Sequence, residues 1–150
     1  MKKMSVMIRA YEAADKETLS SIWYRASLEA HAFLGVGLLR DQQKLIEDVY
    51  LEKAETWVAV VDNKSVGFIG LLDSFIGGLF VDPAAQGHGI GRQLIDHSLA
   101  MKGELSLEVY ADNQRACRFY KQLGFQEISR RAKDDNGLPF ANIEMQLKAK

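Results

Sequence analysis

Leu79-Phe80-Val81-Asp82-Pro83-Ala84-Ala85-Gln86-Gly87-His88-Gly89-Ile90-Gly91-Arg92 reads as the end of a strand, a turn at Asp82-Pro83, a glycine-rich loop and a helix opening at about Ile90. Glycines at a helix N-terminus let backbone N–H groups point at an anion without side chains in the way. The helix dipole favours negative charge at the same place. The stretch therefore reads as a cradle for a pyrophosphate. Spacing sets two kinds of cradle aside. The Walker pattern ends in Gly-Lys-Ser/Thr, whereas Gly91 is followed by Arg92-Gln93. The dinucleotide fingerprint is Gly-x-Gly-x-x-Gly, whereas the loop here is Gly87-x-Gly89-x-Gly91.

Outward from the loop, the chain reads as a mixed succession of strands and helices without repeats or linkers. Val6–Ala10 is a short strand, and Asp15 is placed to cap a helix from Lys16 to about Ala30 with Leu19, Ile22, Trp23, Ala26 and Ala30 at helical spacing. A glycine-punctuated loop leads to a second helix from about Leu38 to Lys53, with Leu45, Ile46 and Val49 on one face. Strands over 56–61 and 66–72 form a hairpin around Asp62–Ser65, and 75–81 extends the same antiparallel run. After the loop come a helix to about Lys102 and a strand alternating Leu105, Leu107, Val109 against Ser106, Glu108, Tyr110. A helix over 114–123, capped by Asp112 or Asn113 and stopped by Gly124, precedes two closing strands, 125–131 and 140–147. The order β-α-α-β-β-β-α-β-α-β-β implies an α+β fold, with helices on both faces of a mixed, mostly antiparallel sheet of about seven strands.

Composition narrows the function classes. The chain has 150 residues, 47% hydrophobic and 26% charged, which fits one ordinary globular domain over residues 1–150. A formal net charge of -1 gives no bulk attraction to nucleic acid. Cys117 is the one cysteine, so no intrachain disulfide forms, which fits a reducing cytoplasm. No signal peptide or membrane-length apolar run is evident.

Two motifs carry a resemblance. Gln86-Gly87-His88-Gly89-Ile90-Gly91 fits Gln-x-x-Gly-x-Gly, and one strand later Asn113-Gln114-Arg115-Ala116-Cys117-Arg118-Phe119-Tyr120-Lys121-Gln122-Leu123-Gly124-Phe125 places Asn near a helix start, Tyr two turns on, and Gly-Phe at its end. In this the chain resembles the GNAT family, the Gcn5-related N-acetyltransferases, over nearly its whole length. More loosely, His31-x-Phe33-Leu34 and the Asp134–Pro139 segment are similar to small bacterial members, some of them thought to acetylate protein lysines.

The resemblance implies acetyl-CoA as co-substrate, no metal, and a primary-amine acceptor, either a protein lysine or a small molecule. It implies that Gln86, Gly87, His88, Gly89, Ile90, Gly91 and Arg92 surround the pyrophosphate. The strands on either side of the loop should splay, leaving the edge of Leu79, Phe80 and Val81 to pair with the pantetheine amides like an added strand. Asn113 either caps its helix, holds the coenzyme arm, or does both. Arg92 is either a solvated helix residue or a phosphate contact. Tyr120 is either a core aromatic or the acid that protonates the leaving thiolate; a phenol suits this, its pKa of about 10 lying close above a thiol's. Glu29, His31 and Glu108 are candidate bases, each with an alternative as a surface charge or helix cap. Phe33, Leu34 and Phe75 are acceptor-pocket walls or core. Gly77-Gly78 leaves room for an acceptor or permits a bulge. Cys117 reads as a helix residue without chemistry. The expected protein is a cytoplasmic monomer or homodimer acting without nucleic acid or membrane. The rival readings are a non-catalytic acyl-CoA-binding or sensing module on the same fold and, against the missing Walker lysine, a nucleotide-binding protein.

Overall fold

Along β2 (Glu55–Val61) successive side chains serve two different cores, as a period-two strand covered on both faces requires. Val58 and Val60 join Leu19, Ile22, Trp23, Leu39, Leu51 and Phe68 beneath the first helices. Ala59 and Val61 join Ile69, Leu71, Ile90, Leu94, Leu105, Leu107 and Met145 beneath the later ones. The computed structural model describes residues 5–30, 35–133, 137 and 139–149. The remaining strands are β1 (Met7–Ala10), β3 (Lys64–Leu72), β4 (Phe75–Val81), β5 (Glu104–Tyr110), β6 (Gln126–Arg131) and β7 (Asn142–Lys148). They form one seven-stranded sheet in the order β1-β2-β3-β4-β5-β7-β6. Every neighbouring pair is antiparallel except β4–β5.

The helices are α1 (Lys16–Ala30), α2 (Val36–Leu45), α3 (Leu51–Lys53), α4 (Ile90–Lys102) and α5 (Gln114–Gln122). A π-helical turn, Ile46–Tyr50, joins α2 to α3 in one rod. α1 and α2 cover one face of β2–β4, while α4 and α5 cover the other face. This is the expected α+β architecture. The hairpin turn at Asp62 (φ 51) and Asn63 (φ 64) is left-handed at both central residues, which matches the twist of the flanking strands.

Four local expectations are corrected. Asp15 does not cap α1: it ends a 3-10 turn, Ala13–Asp15, and its carboxylate turns back to accept the Glu12 N–H at 2.8 Å and both Arg9 guanidinium nitrogens at 2.8 Å. Leu45 is not on the buried face; it is 62% exposed, because it stands about a third of a turn round the regular helix from Leu39, the residue that α2 buries. The rod also begins earlier, at Val36, and the last strand later, at Asn142.

Arg9 and Asp15 tie β1 to the start of α1, and Asp15 is buried. The Arg9 hydrogen bonds hold its carboxyl below the usual carboxylate range. A depressed folded pKa stabilises the fold above the unfolded value of about 3.9, and the effect is lost as pH falls through the folded value. Asp15→Asn is expected to destabilise the protein by about 1–3 kcal/mol at neutral pH. Urea unfolding from pH 7 down to pH 3 should show the gap from wild type constant above about pH 5 and narrowing below about pH 4.

Candidate active site

β4 and β5 pair at only two positions, Phe75 with Ser106 and Ile76 with Leu107. Beyond them β4 stays bonded to β3 as far as Val81, and β5 stays bonded to β7 as far as Tyr110. The edges of Gly77–Val81 and Glu108–Tyr110 therefore face each other without a ladder. A cleft of about 1090 Å³ opens where they part, lined by both edges, the glycine loop and parts of α1 and α5. Backbone N–H and C=O groups on such an edge need partners, from water or a ligand.

The loop is fixed at its base. Gln86 donates its side-chain amide to the Val81 carbonyl at 3.3 Å, and Asp82 accepts from the Ala84 N–H at 3.1 Å and from Arg25 of α1 at 2.9 Å. Gly87 (φ 85) and Gly89 (φ 78) are left-handed, and a Cβ on either would meet nothing within 4 Å. The space outside them is open, and Gly89 opens the 13-residue α4, whose first N–H groups have no partner within the helix. Gly91 serves a different purpose: a Cβ there would come within 3.1 Å of the Phe119 ring, so it lets α4 and α5 approach. This loop fits a pyrophosphate. Ile90 and Arg92 line the cleft with the glycines, whereas His88 is exposed and does not.

From α5, Asn113 is the helix cap, accepting the Ala116 N–H at 3.1 Å, and it lines the cleft as well. Tyr120 is buried between the rings of Phe119 and Phe125, with centroids at 5.2 and 5.4 Å. It reaches the cleft, and its hydroxyl has no hydrogen-bond partner among the described residues. Burial pushes the phenol above its usual pKa, so it keeps its proton. Burial also pushes the Cys117 thiol up, which disfavours the nucleophilic thiolate.

The acceptor-side residues divide. Phe75, Glu29 and Glu108 line the cleft, as do Leu79, Phe80 and Val81 on the β4 edge. Glu29 pairs with Arg115 of α5 at 3.3 Å, and Glu108 pairs with Arg131 of β6 at 2.6 Å. His31, Phe33 and Leu34 lie outside the described residues. Gly77 forms a bulge, since Gly70 pairs with Gly78 and Leu71 with Ile76. Its missing side chain does not leave open room: a Cβ there would overlap the hydroxyl of Tyr50, from the π turn. Tyr50 also sits 2.7 Å from where a Cβ of Gly70 would stand, and it donates to the Gly70 carbonyl at 3.4 Å. Burial pushes its phenol up to about 12. Sequence reasoning missed Tyr50 and Arg115. The signal for Tyr50 was a pair of glycines on adjacent strands, which marks a slot for a ring. Among the described residues, no cluster of His, Cys, Asp or Glu is placed to hold a metal ion, and no helix is long and apolar enough to cross a membrane.

Residues 52–127 match the family model described as an acetyltransferase (GNAT) domain. The chain is 36% identical over 143 residues to the peptidyl-lysine N-acetyltransferase YjaB of Salmonella typhimurium, covering 95% of this chain and 98% of that one. It is 32% identical to the peptidyl-lysine N-acetyltransferase YiaC of Escherichia coli, covering 89% and 92%. The solution structure of apo-form YjaB from Escherichia coli superposes with a TM-score of 0.88 at 34% identity, over 97% of this chain and all of that one. With the parted strands and the glycine loop in place, these likenesses show that the chain belongs to the GNAT family and is an N-acetyltransferase.

Proposed function

We propose that this protein transfers the acetyl group of acetyl-CoA to a primary amine by direct attack in a ternary complex. Residues 1–150 would act as one cytoplasmic domain, monomeric or homodimeric, with neither nucleic acid nor membrane as a partner. The carrying observation is the parting of β4 and β5 beside a glycine cradle and a Tyr120 hydroxyl that has no partner among the described residues. The acceptor we favour is a protein lysine, because YjaB and YiaC carry that activity in their names.

When bound, acetyl-CoA supplies a thioester that amines can attack. The N–H groups at Gly87–Arg92 would hold its pyrophosphate. The free edge of Leu79–Val81 would pair with the amides of its arm, with Asn113 as a side-chain partner. Backbone N–H groups on the same edge would face the carbonyl oxygen and stabilise negative charge there. Tyr120 holds a proton at its hydroxyl and would pass it to the departing sulfur. A lysine-like amine with pKa about 10.4 arrives protonated, so a base is required. Glu108 is the first β5 residue past the ladder, which makes it the base we favour over Glu29 and His31.

A thermal-shift titration tests the cofactor. Acetyl-CoA at 100 times its dissociation constant should stabilise the fold by roughly 2.7 kcal/mol. ATP or NAD should give none, and an equal shift with either would refute the assignment. Gly89→Val adds a side chain where the protein leaves open space, so its affinity for acetyl-CoA should fall at least about tenfold. The left-handed backbone adds about 1–2 kcal/mol of strain, measured separately from the melting temperature.

Tyr120→Phe keeps the ring contacts and removes the proton. With a lysine-bearing peptide as acceptor, turnover should fall by about 10²–10⁴-fold while acetyl-CoA affinity stays near wild type. Because burial raises this phenol, the wild-type rate should climb as the amine loses its proton, with no decline caused by Tyr120 below about pH 10. A Tyr120→Phe enzyme with the wild-type rate would assign Tyr120 to packing alone.

A further inference from the structure

The Tyr50 side chain occupies a slot that three separate features of the sequence create. A π turn, Ile46–Tyr50, presents it to the sheet, and turns of this kind recur at functional sites. Gly70 on β3 and Gly77 on β4 withhold the side chains that would collide with its phenol. The β-bulge between β3 and β4 falls at Gly77. Tyr50 and Gly77 both line the cleft.

The slot lies at a particular end of that cleft. The glycine cradle is at the Val81 end of the free β4 edge, and the ladder with β5 closes it at Ile76. Gly77 is the first residue beyond that closure, roughly 13 Å along the strand from Val81 at about 3.3 Å per residue. An arm anchored by its pyrophosphate at the loop and paired along Leu79–Val81 points its tip at Gly77. Whatever the tip carries meets the Tyr50 hydroxyl, which the Gly70 carbonyl holds in place.

We propose that Tyr50 is a specificity-determining residue that closes the acyl end of the cleft and limits the acyl group to the size of acetyl. This inference rests on the acetyl-CoA reading above. A ring seated over two positions without side chains, its hydroxyl 3.4 Å from the Gly70 carbonyl, makes a wall at that end of the cleft. An extra methylene or two on the acyl chain needs the volume that the phenol fills, and such differences in an apolar pocket discriminate by about 10–200-fold.

Calorimetric titration with coenzyme A, acetyl-CoA, propionyl-CoA and butyryl-CoA tests the inference without an acceptor. Wild type should bind acetyl-CoA at least about tenfold more tightly than butyryl-CoA. Tyr50→Ala should bring the two within about threefold, while Tyr50→Phe, which keeps the ring but gives up the volume of the hydroxyl, should keep part of the wild-type preference. Adding Gly77→Ala to Tyr50→Ala returns a carbon to the space where the hydroxyl stood, and should restore part of the preference. If Tyr50→Ala lacks a cooperative melting transition, Tyr50→Leu is read instead; it retains apolar contact but stops short of the glycines, and should narrow the preference at least about threefold. Equal wild-type affinity for acetyl- and butyryl-CoA would overturn the inference. So would a folded Tyr50→Ala, or a Tyr50→Leu read in its place, with the wild-type preference. Failure of wild type to bind coenzyme A or acetyl-CoA would instead overturn the acetyl-CoA reading itself.

Discussion

The structure depends on a ladder that stops after two pairs. Once Ile76 and Leu107 have met, β4 and β5 go separate ways, and each is bonded on its outer side only. A sheet divided in this way has lost hydrogen bonds along its middle, so something else must hold its halves together. The core under α4 does so. Ile69 and Leu71 on one half, Leu105, Leu107 and Met145 on the other, and Ile90, Leu94 and Ile95 of α4 all belong to one buried cluster. The core under α1 and α2 draws its strand residues from β2, β3 and β4 alone. One face thus binds the halves together by apolar burial, and the other face leaves the gap accessible.

Two phenols, Tyr50 half-buried and Tyr120 buried, stand on opposite faces of this gap, and their surroundings differ. Both are pushed up by burial, so both keep their protons at neutral pH. Tyr50 directs its hydroxyl to the Gly70 carbonyl. Tyr120 has ring contacts with Phe119 and Phe125 but leaves its hydroxyl without a partner among the described residues. A phenol that donates within the protein is a fixture. A phenol that does not can donate to something that enters the cleft. Because Tyr120 lines the cleft, a ligand atom that enters there can accept that bond.

Features legible in the sequence were those decided by neighbours close along the chain. The loop Gln86–Gly91, the Asn113 cap and the Gly124 stop each follow from local backbone geometry, and each is where it was expected. Asp15 was misread because its partner, Arg9, comes from the preceding strand and competes with the helix for the carboxylate. Leu45 was misread because apolar character alone does not say which face a helix buries: α2 packs through Leu39, about a third of a turn away. The glycines at 70 and 77 could be seen, but not the ring they admit. That ring arrives from a helix packed on the sheet, a tertiary relation that no spacing along the chain encodes.

The two carboxylates of the cleft illustrate the same division between fixed and exchangeable parts. Glu29 and Arg115 join α1 to α5, but with side chains 49% and 68% exposed their pairing adds little stability. Water can replace either partner when the cleft fills, so a contact of this kind yields readily to an entering substrate. Glu108 sits on a strand fully bonded to β7, and Arg131, two strands away on β6, reaches across to hold it at 2.6 Å. Its side chain is less exposed, at 28%, and its backbone cannot shift without breaking the ladder. A carboxylate that must meet an incoming amine beside a fixed thioester needs that kind of support. Position alone therefore favours Glu108, on its bonded strand at the point of parting, over Glu29 at the end of a helix.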